Sequence, residues 1–149
     1  MKTFLTRILS ACAVFAVGST AVFAAAGWDD NYDKAIAQAK AEKKLVLLDF
    51  TGSDWCGWCI KLDKEVFSKP EFKEYAKANL VLVEVDFPNS KPQSKKLKEQ
   101  NQKLQKEHGI QGYPTIIVLN SEGKKVGQLG YQEGGPAPFI AKLDALKGK

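Results

Sequence analysis

The chain has 149 residues, three cysteines and a formal net charge of +5. That length accommodates one domain with a short appendage, and three cysteines are too few for a scaffold stapled by several disulfides. The positive charge is mild and its lysines are mixed with acids, without aromatic residues for base stacking, so a nucleic-acid-binding function is excluded.

Residues 1–26 read as a secretory signal. Lys2 and Arg7 form the charged start, Ile8 to Ala26 is apolar and uncharged, and small residues place cleavage after Ala24 or after Ala26. The competing reading is an uncleaved membrane anchor, against which Ser10, Gly18, Ser19 and Thr20 interrupt the run. Leu9-Ser10-Ala11-Cys12 has the look of a lipidation motif. It follows Arg7 with almost no apolar stretch between, so Cys12 reads as an ordinary residue of the leader. Cleavage removes two basic residues, leaves a net charge of about +3 and leaves Cys56 and Cys59 as the cysteines of a domain over residues 27–149.

Within that domain Trp28, Tyr32, Ala35, Ile36 and Ala39 recur at helical spacing, with Asp29 or Asp30 available as a cap. Leu45–Phe50 is an apolar run that predicts a buried strand. A helix is expected from about Cys56, with Ile60, Val66 and Phe67 facing inward. Ser68-Lys69-Pro70-Glu71 breaks it, and a second helical piece carries Phe72, Tyr75 and Ala76. Leu80–Val85 predicts another central strand. After the Pro88–Pro92 loop, a polar helix runs from about Gln93 to Glu107, with Leu97 and Leu104 as its apolar stripe and Gly109 as its C-cap. Its lysines form a solvated face. Thr115–Leu119 and Lys125–Leu129 flank a turn and read as a hairpin, and Phe139, Ile140, Leu143 and Leu146 mark a final helix. The order is α/β: a βαβ unit, a hairpin and a covering helix.

The chemistry centres on Trp55-Cys56-Gly57-Trp58-Cys59. A C-x-x-C pair serves redox, zinc or haem chemistry, and its place between a strand and a helix favours redox. Haem attachment needs a histidine after the second cysteine, where Ile60 stands. Zinc needs about four ligands, and the domain offers Cys56, Cys59 and the lone His108. The same three could hold copper, although His108, just before Gly109, is favoured at a helix C-terminus in any case. No metal and no cofactor is therefore assigned. Cys56, at the helix N-terminus, is the expected attacking thiolate, and Cys59, one turn in, the resolving thiol. Trp55 and Trp58 offer apolar surface around the sulfur, or packing. Asp49, inside the apolar strand, is either a buried acid that carries the proton of Cys59 or an acid bonded to the following loop. Asp63, one turn beyond Cys59, is an exposed helix acid that could tune the pair. Pro114 belongs at the start of its strand, with a cis peptide after Tyr113 open as an alternative.

Five segments together carry a family resemblance: Leu47–Phe50, Trp55–Cys59, Phe67–Phe72, Val83–Asp86 and Gly109–Thr115. The domain resembles a thioredoxin-fold protein. It is similar to small exported bacterial thioredoxin-like proteins and to the C-terminal domain of transmembrane thiol:disulfide interchange proteins. The resemblance implies a central mixed sheet with helices on both faces, a nucleophile at Cys56, a resolving thiol at Cys59 and a buried acid at Asp49. It also implies a cis peptide between Tyr113 and Pro114, where Tyr113 pairs with an extended substrate segment, and a proline that discourages metal binding. Partners would be substrate proteins with disulfides or thiols and a membrane-bound thiol reductant. The protein would be a monomer in the periplasm or secreted, touching the membrane only if the signal is retained. Gly57-Trp58 replaces the Gly-Pro of cytoplasmic thioredoxins, so the redox potential does not carry over. The Thr51–Asp54 loop is one residue longer, which bears on the placing of Asp49 against Cys59, and the 88–108 segment is longer and richer in lysine. The function expected is an exported thiol–disulfide oxidoreductase working mainly as a reductant. The alternative is a non-enzymatic module of the same fold that binds peptides or copper.

Overall fold

A computed structural model describes residues 27–148 of the chain. The expected signal segment, with Cys12 and both cleavage positions, lies outside the described residues. Among these residues, no helix is long and apolar enough to cross a membrane.

The described chain runs β1 (Trp28–Asp29), α1 (Tyr32–Glu42), β2 (Leu45–Thr51) and α2 (Gly57–Leu62), then a π-helical turn (Asp63–Phe67). It continues with α3 (Pro70–Asn79), β3 (Leu80–Asp86), α4 (Lys95–Glu107), β4 (Thr115–Leu119), β5 (Lys125–Leu129) and α5 (Pro136–Asp144). The five strands form one mixed sheet in the order β1-β3-β2-β4-β5, with β1, β3 and β2 parallel and β4 and β5 antiparallel. This is a thioredoxin fold.

Side-chain alternation along the strands divides the core into two layers. Leu45 and Leu47 of β2, Leu80 and Leu82 of β3, and Ile116 and Val118 of β4 point to one face. There they meet Leu62, Val66, Phe67, Phe72, Phe139 and Leu143 from α2 through α3 and from α5. Val46, Leu48, Phe50, Val81, Val83, Val85, Ile117 and Leu119 point to the other face, against Ala35 and Ala39 of α1 and Leu104 of α4. Because both faces are covered, β2 reads as a continuous apolar run rather than an alternating one. The parallel register Leu45↔Leu80, Leu47↔Leu82, Asp49↔Glu84 sets the two strands in step. Both rows turn acidic at their C-terminal ends.

Two expectations from helical spacing are corrected. Trp28 is not in the first helix: it pairs with Leu82 as a short edge strand and its ring lies 5.0 Å from that of Phe67. The helix begins after Asn31, whose side chain accepts from the Lys34 N–H at 3.0 Å and so caps it in place of Asp29 or Asp30. Leu146 follows α5 rather than lying in it, in a turn where its side chain fills the space left by Gly127. The C-cap of the polar helix is His108 rather than Gly109, which follows it in the left-handed conformation, with φ of +63°, and ends the helix there.

Candidate active site

The loop between β2 and α2 is fixed at several points. Cys56 N–H donates to the Gly52 carbonyl at 2.8 Å, closing a tight turn. Gly52 lies under the Trp55 indole, where an added Cβ would fall 2.6 Å from its Cζ2 and Nε1. The Ser53 N–H and hydroxyl both donate to Asp86, at 2.9 and 2.5 Å. Asp54 accepts from the Asn89 and Ser90 N–H groups at 2.9 and 2.7 Å, tying this loop to the one after β3. Asp54 is held below the usual carboxylate range by those backbone donors.

Cys56 is the N-cap of α2, and its sulfur accepts from the Cys59 N–H at 3.2 Å. The two cysteines form a disulfide with Cα atoms 5.2 Å apart. An N–H aimed at Sγ is the arrangement that stabilises a thiolate once the bond opens. Both cysteines are buried, whereas Trp55, Trp58 and Ile60 are the large apolar side chains that stand exposed among the described residues. Ile60 was expected to face inward. It is 50% exposed, because Cys59 and Leu62 occupy the buried side of this six-residue helix. Val66 and Phe67 do face inward, carried there by the π-helical turn, in which Ser68 N–H donates to the Asp63 carbonyl at 2.8 Å.

Beneath the disulfide lies a cavity of about 420 Å³, lined by Cys59, Asp49, Asp63, Glu84, Ile60 and Lys91 among others. Asp49 is buried and its Oδ1 has no hydrogen-bond partner. Loss of hydration, with the like charges of Glu84, Asp63 and Asp86, pushes its carboxyl up to about 8. Glu84 is raised as well, by partial loss of hydration and by Asp86, with Lys91 opposing. Asp49 and Cys59 face the same cavity. His108 lies elsewhere, as the C-cap of α4, its ring edge-on to Phe50 at 6.0 Å and its pKa lowered by burial. Among the described residues no group of three or more metal-ligating side chains is gathered.

Each of the two tryptophans flanking the cysteines is held by a tyrosine. Trp55 donates from Nε1 to the Phe87 carbonyl at 2.8 Å and meets the Tyr113 ring edge-on at 5.8 Å. Tyr113 precedes Pro114 through a cis peptide. Trp58 packs on Tyr131 at 5.1 Å, with Lys61 Nζ about equally close to both rings, at 5.1 and 5.0 Å. The Tyr131 hydroxyl donates to Glu65 at 2.7 Å. Tyr131, Phe87 and Glu84 were missed in the sequence. Glu84 had a signal there, since it interrupts its apolar strand much as Asp49 does. Tyr131 had none.

The chain matches the model of the thioredoxin-like domain family over residues 32–147. It is 37% identical over 119 residues to the disulfide bond reductase DsbH of Chlamydia pneumoniae, covering 79% of this chain and 72% of that protein. It is also 37% identical over 93 residues to the thiol:disulfide interchange protein DsbD of Klebsiella pneumoniae, covering 62% of this chain but only 14% of that much longer protein. The solved structure of a DsbH oxidoreductase superimposes with a TM-score of 0.78 at 36% identity, covering 85% of this chain and 88% of that one.

Proposed function

We propose a function for a chain that belongs, by its match over residues 32–147, to the thioredoxin-like domain family: it is a thiol–disulfide oxidoreductase, working mainly as a reductant of protein disulfides outside the cytoplasm. The observation that carries this reading is the Cys56–Cys59 disulfide capping α2 above the buried Asp49. The reducing direction is supported by the likeness to a disulfide bond reductase.

In the reduced protein Cys56 attacks a substrate disulfide as the thiolate. A Cys56–substrate bond forms and one substrate sulfur leaves. Cys59 then passes its proton to Asp49 and attacks the Cys56 sulfur, so that the internal disulfide forms and the second substrate sulfur is released. Trp55, Trp58, Tyr113 and Pro114 make the surface on which an extended substrate segment lies, supported by the exposure of both indoles beside the sulfurs. Residues 1–26 direct export and are cleaved after Ala24 or Ala26, and a membrane-bound thiol reductant restores the dithiol.

The test is reduction of a model protein disulfide by pre-reduced wild type and Cys56→Ser, with the redox potential of the pair measured alongside. Activity should vanish in the variant and the potential should lie in the range of reductants. Undiminished activity in Cys56→Ser, or stoichiometric copper binding without thiol exchange, would refute the reading.

A further inference from the structure

The cavity under Cys59 has an inner and an outer acid. Alternation in β2 puts Leu45, Leu47 and Asp49 on one face, and alternation in β3 puts Leu80, Leu82 and Glu84 on the same face. The register pairs Asp49 with Glu84 directly across the two strands. Both line the cavity. They differ in access to water: Asp49 is 8% exposed with an unpartnered Oδ1, whereas Glu84 is an exposed residue within an otherwise buried strand. The ends of parallel strands are where open α/β sheets place their chemistry, and here that edge carries two carboxyls rather than one.

We propose that Glu84 forms a carboxyl pair with Asp49 and exchanges the proton of Asp49 with water through this cavity, so acting on the thiols through Asp49. The inference rests on the proposed role of Asp49 as the proton carrier for Cys59. In the resolving step the Cys59 thiol gives its proton to the Asp49 carboxylate. The Cys59 thiolate attacks Cys56 and forms the internal disulfide. The Cys56–substrate bond breaks, and the substrate sulfur leaves with the electron pair and is protonated by water. Asp49 must be ionised before it can act. At neutral pH its buried carboxyl holds a proton in most molecules, and that proton needs a way out. It passes to the Glu84 carboxylate and from there to water.

The charged groups around the pair come from every side. Asp63 reaches in from the π-helical turn, Asp86 from β3 and Asp30 from the segment after β1. Lys91, on the loop after β3, opposes them while donating to the Ser53 hydroxyl at 2.8 Å. On β4 the neighbour of Asp49 is the uncharged Ile116. Removing the charge of Glu84 therefore lowers the pKa of Asp49 and, on electrostatics alone, makes it a more available base. A relay makes the opposite prediction for the rate.

The experiment is single-turnover oxidation of the reduced protein by a saturating disulfide peptide, followed by tryptophan fluorescence between pH 5.5 and 8. Wild type, Glu84→Gln, Glu84→Asp and Asp49→Asn are compared, each checked for folding by its unfolding midpoint. Glu84→Gln should resolve about tenfold or more slowly near pH 6.5 in dilute buffer and recover when imidazole or formate is added, while Glu84→Asp stays near wild type. A Glu84→Gln as fast as wild type or faster, with no response to buffer, while Asp49→Asn is slow, overturns the relay and leaves the role of Asp49 standing. An Asp49→Asn that matches wild type overturns both.

Discussion

Replacing Asp49 by Asn should change how the stability of the oxidised protein depends on pH. The Asp49 carboxyl titrates near its ordinary value of 3.8 in the unfolded chain and at about 8 in the fold. Below pH 3.8 it is protonated in both states and has no effect. As pH rises, the unfolded chain ionises while the folded one holds its proton, so the unfolded state is favoured progressively until pH passes about 8. At 1.36 kcal/mol per pH unit this costs the wild type about 4 kcal/mol by pH 7 and about 6 kcal/mol at saturation. Asn cannot ionise, so the variant escapes this loss. It carries instead a pH-independent penalty of about 1–3 kcal/mol for a buried amide without full hydrogen bonding. The signature is therefore a slope. Glu84 has the same sign of shift but is present in both proteins and largely cancels from the difference. Denaturant unfolding at half-unit steps from pH 4.5 to 8.5 measures it: Asp49→Asn minus wild type should climb by several kcal/mol across that range. A flat difference, or one that falls with pH, would show that Asp49 is ionised in the fold and refute the reasoning.

Three further outcomes are expected. Gly52→Ala places a methyl into the Trp55 indole, whose rigid ring must leave its bond to the Phe87 carbonyl and its contact with Tyr113; altered tryptophan emission and slower reaction with a peptide disulfide should follow, with the fold retained. Cys59→Ser removes the thiol proposed to resolve the mixed disulfide, so incubation of the reduced variant with a disulfide substrate should accumulate a Cys56-linked adduct, read by mass on a non-reducing gel. Asn101 is buried in α4 and donates to the Asp86 carbonyl at 2.9 Å, which also accepts from Gln93 at 3.0 Å; because the carbonyl keeps one donor, Asn101→Leu should cost only about 1–2 kcal/mol in chemical unfolding.

The thiol motif, the strand Leu45–Phe50 and the hairpin over 115–129 were legible because each is a local matter. Apolar runs, a turn-forming segment and two thiols three residues apart need no distant partner to be recognised. The helix after the cysteines was legible in outline, yet the orientation of Ile60 was not. A π-helical turn at Asp63–Phe67 breaks the 3.6-residue count, and no residue in that stretch announces it. Trp28 fits a helical stripe by spacing, but pairing with Leu82 and contact with Phe67 draw it into the sheet.

The sequence by itself determined the chemistry available: two thiols at the start of a helix, an acid within an apolar strand, and a proline at a strand's beginning. The tertiary structure decided what surrounds them. Trp58 and Tyr131 are 73 positions apart in sequence and Asp49 and Glu84 are 35, and only chain closure and strand register bring each pair together. A register slip of one residue would turn Glu84 to the opposite face. The pKa of Asp49 is likewise a property of the fold, because burial and neighbouring carboxyls exist for it only once the sheet has formed.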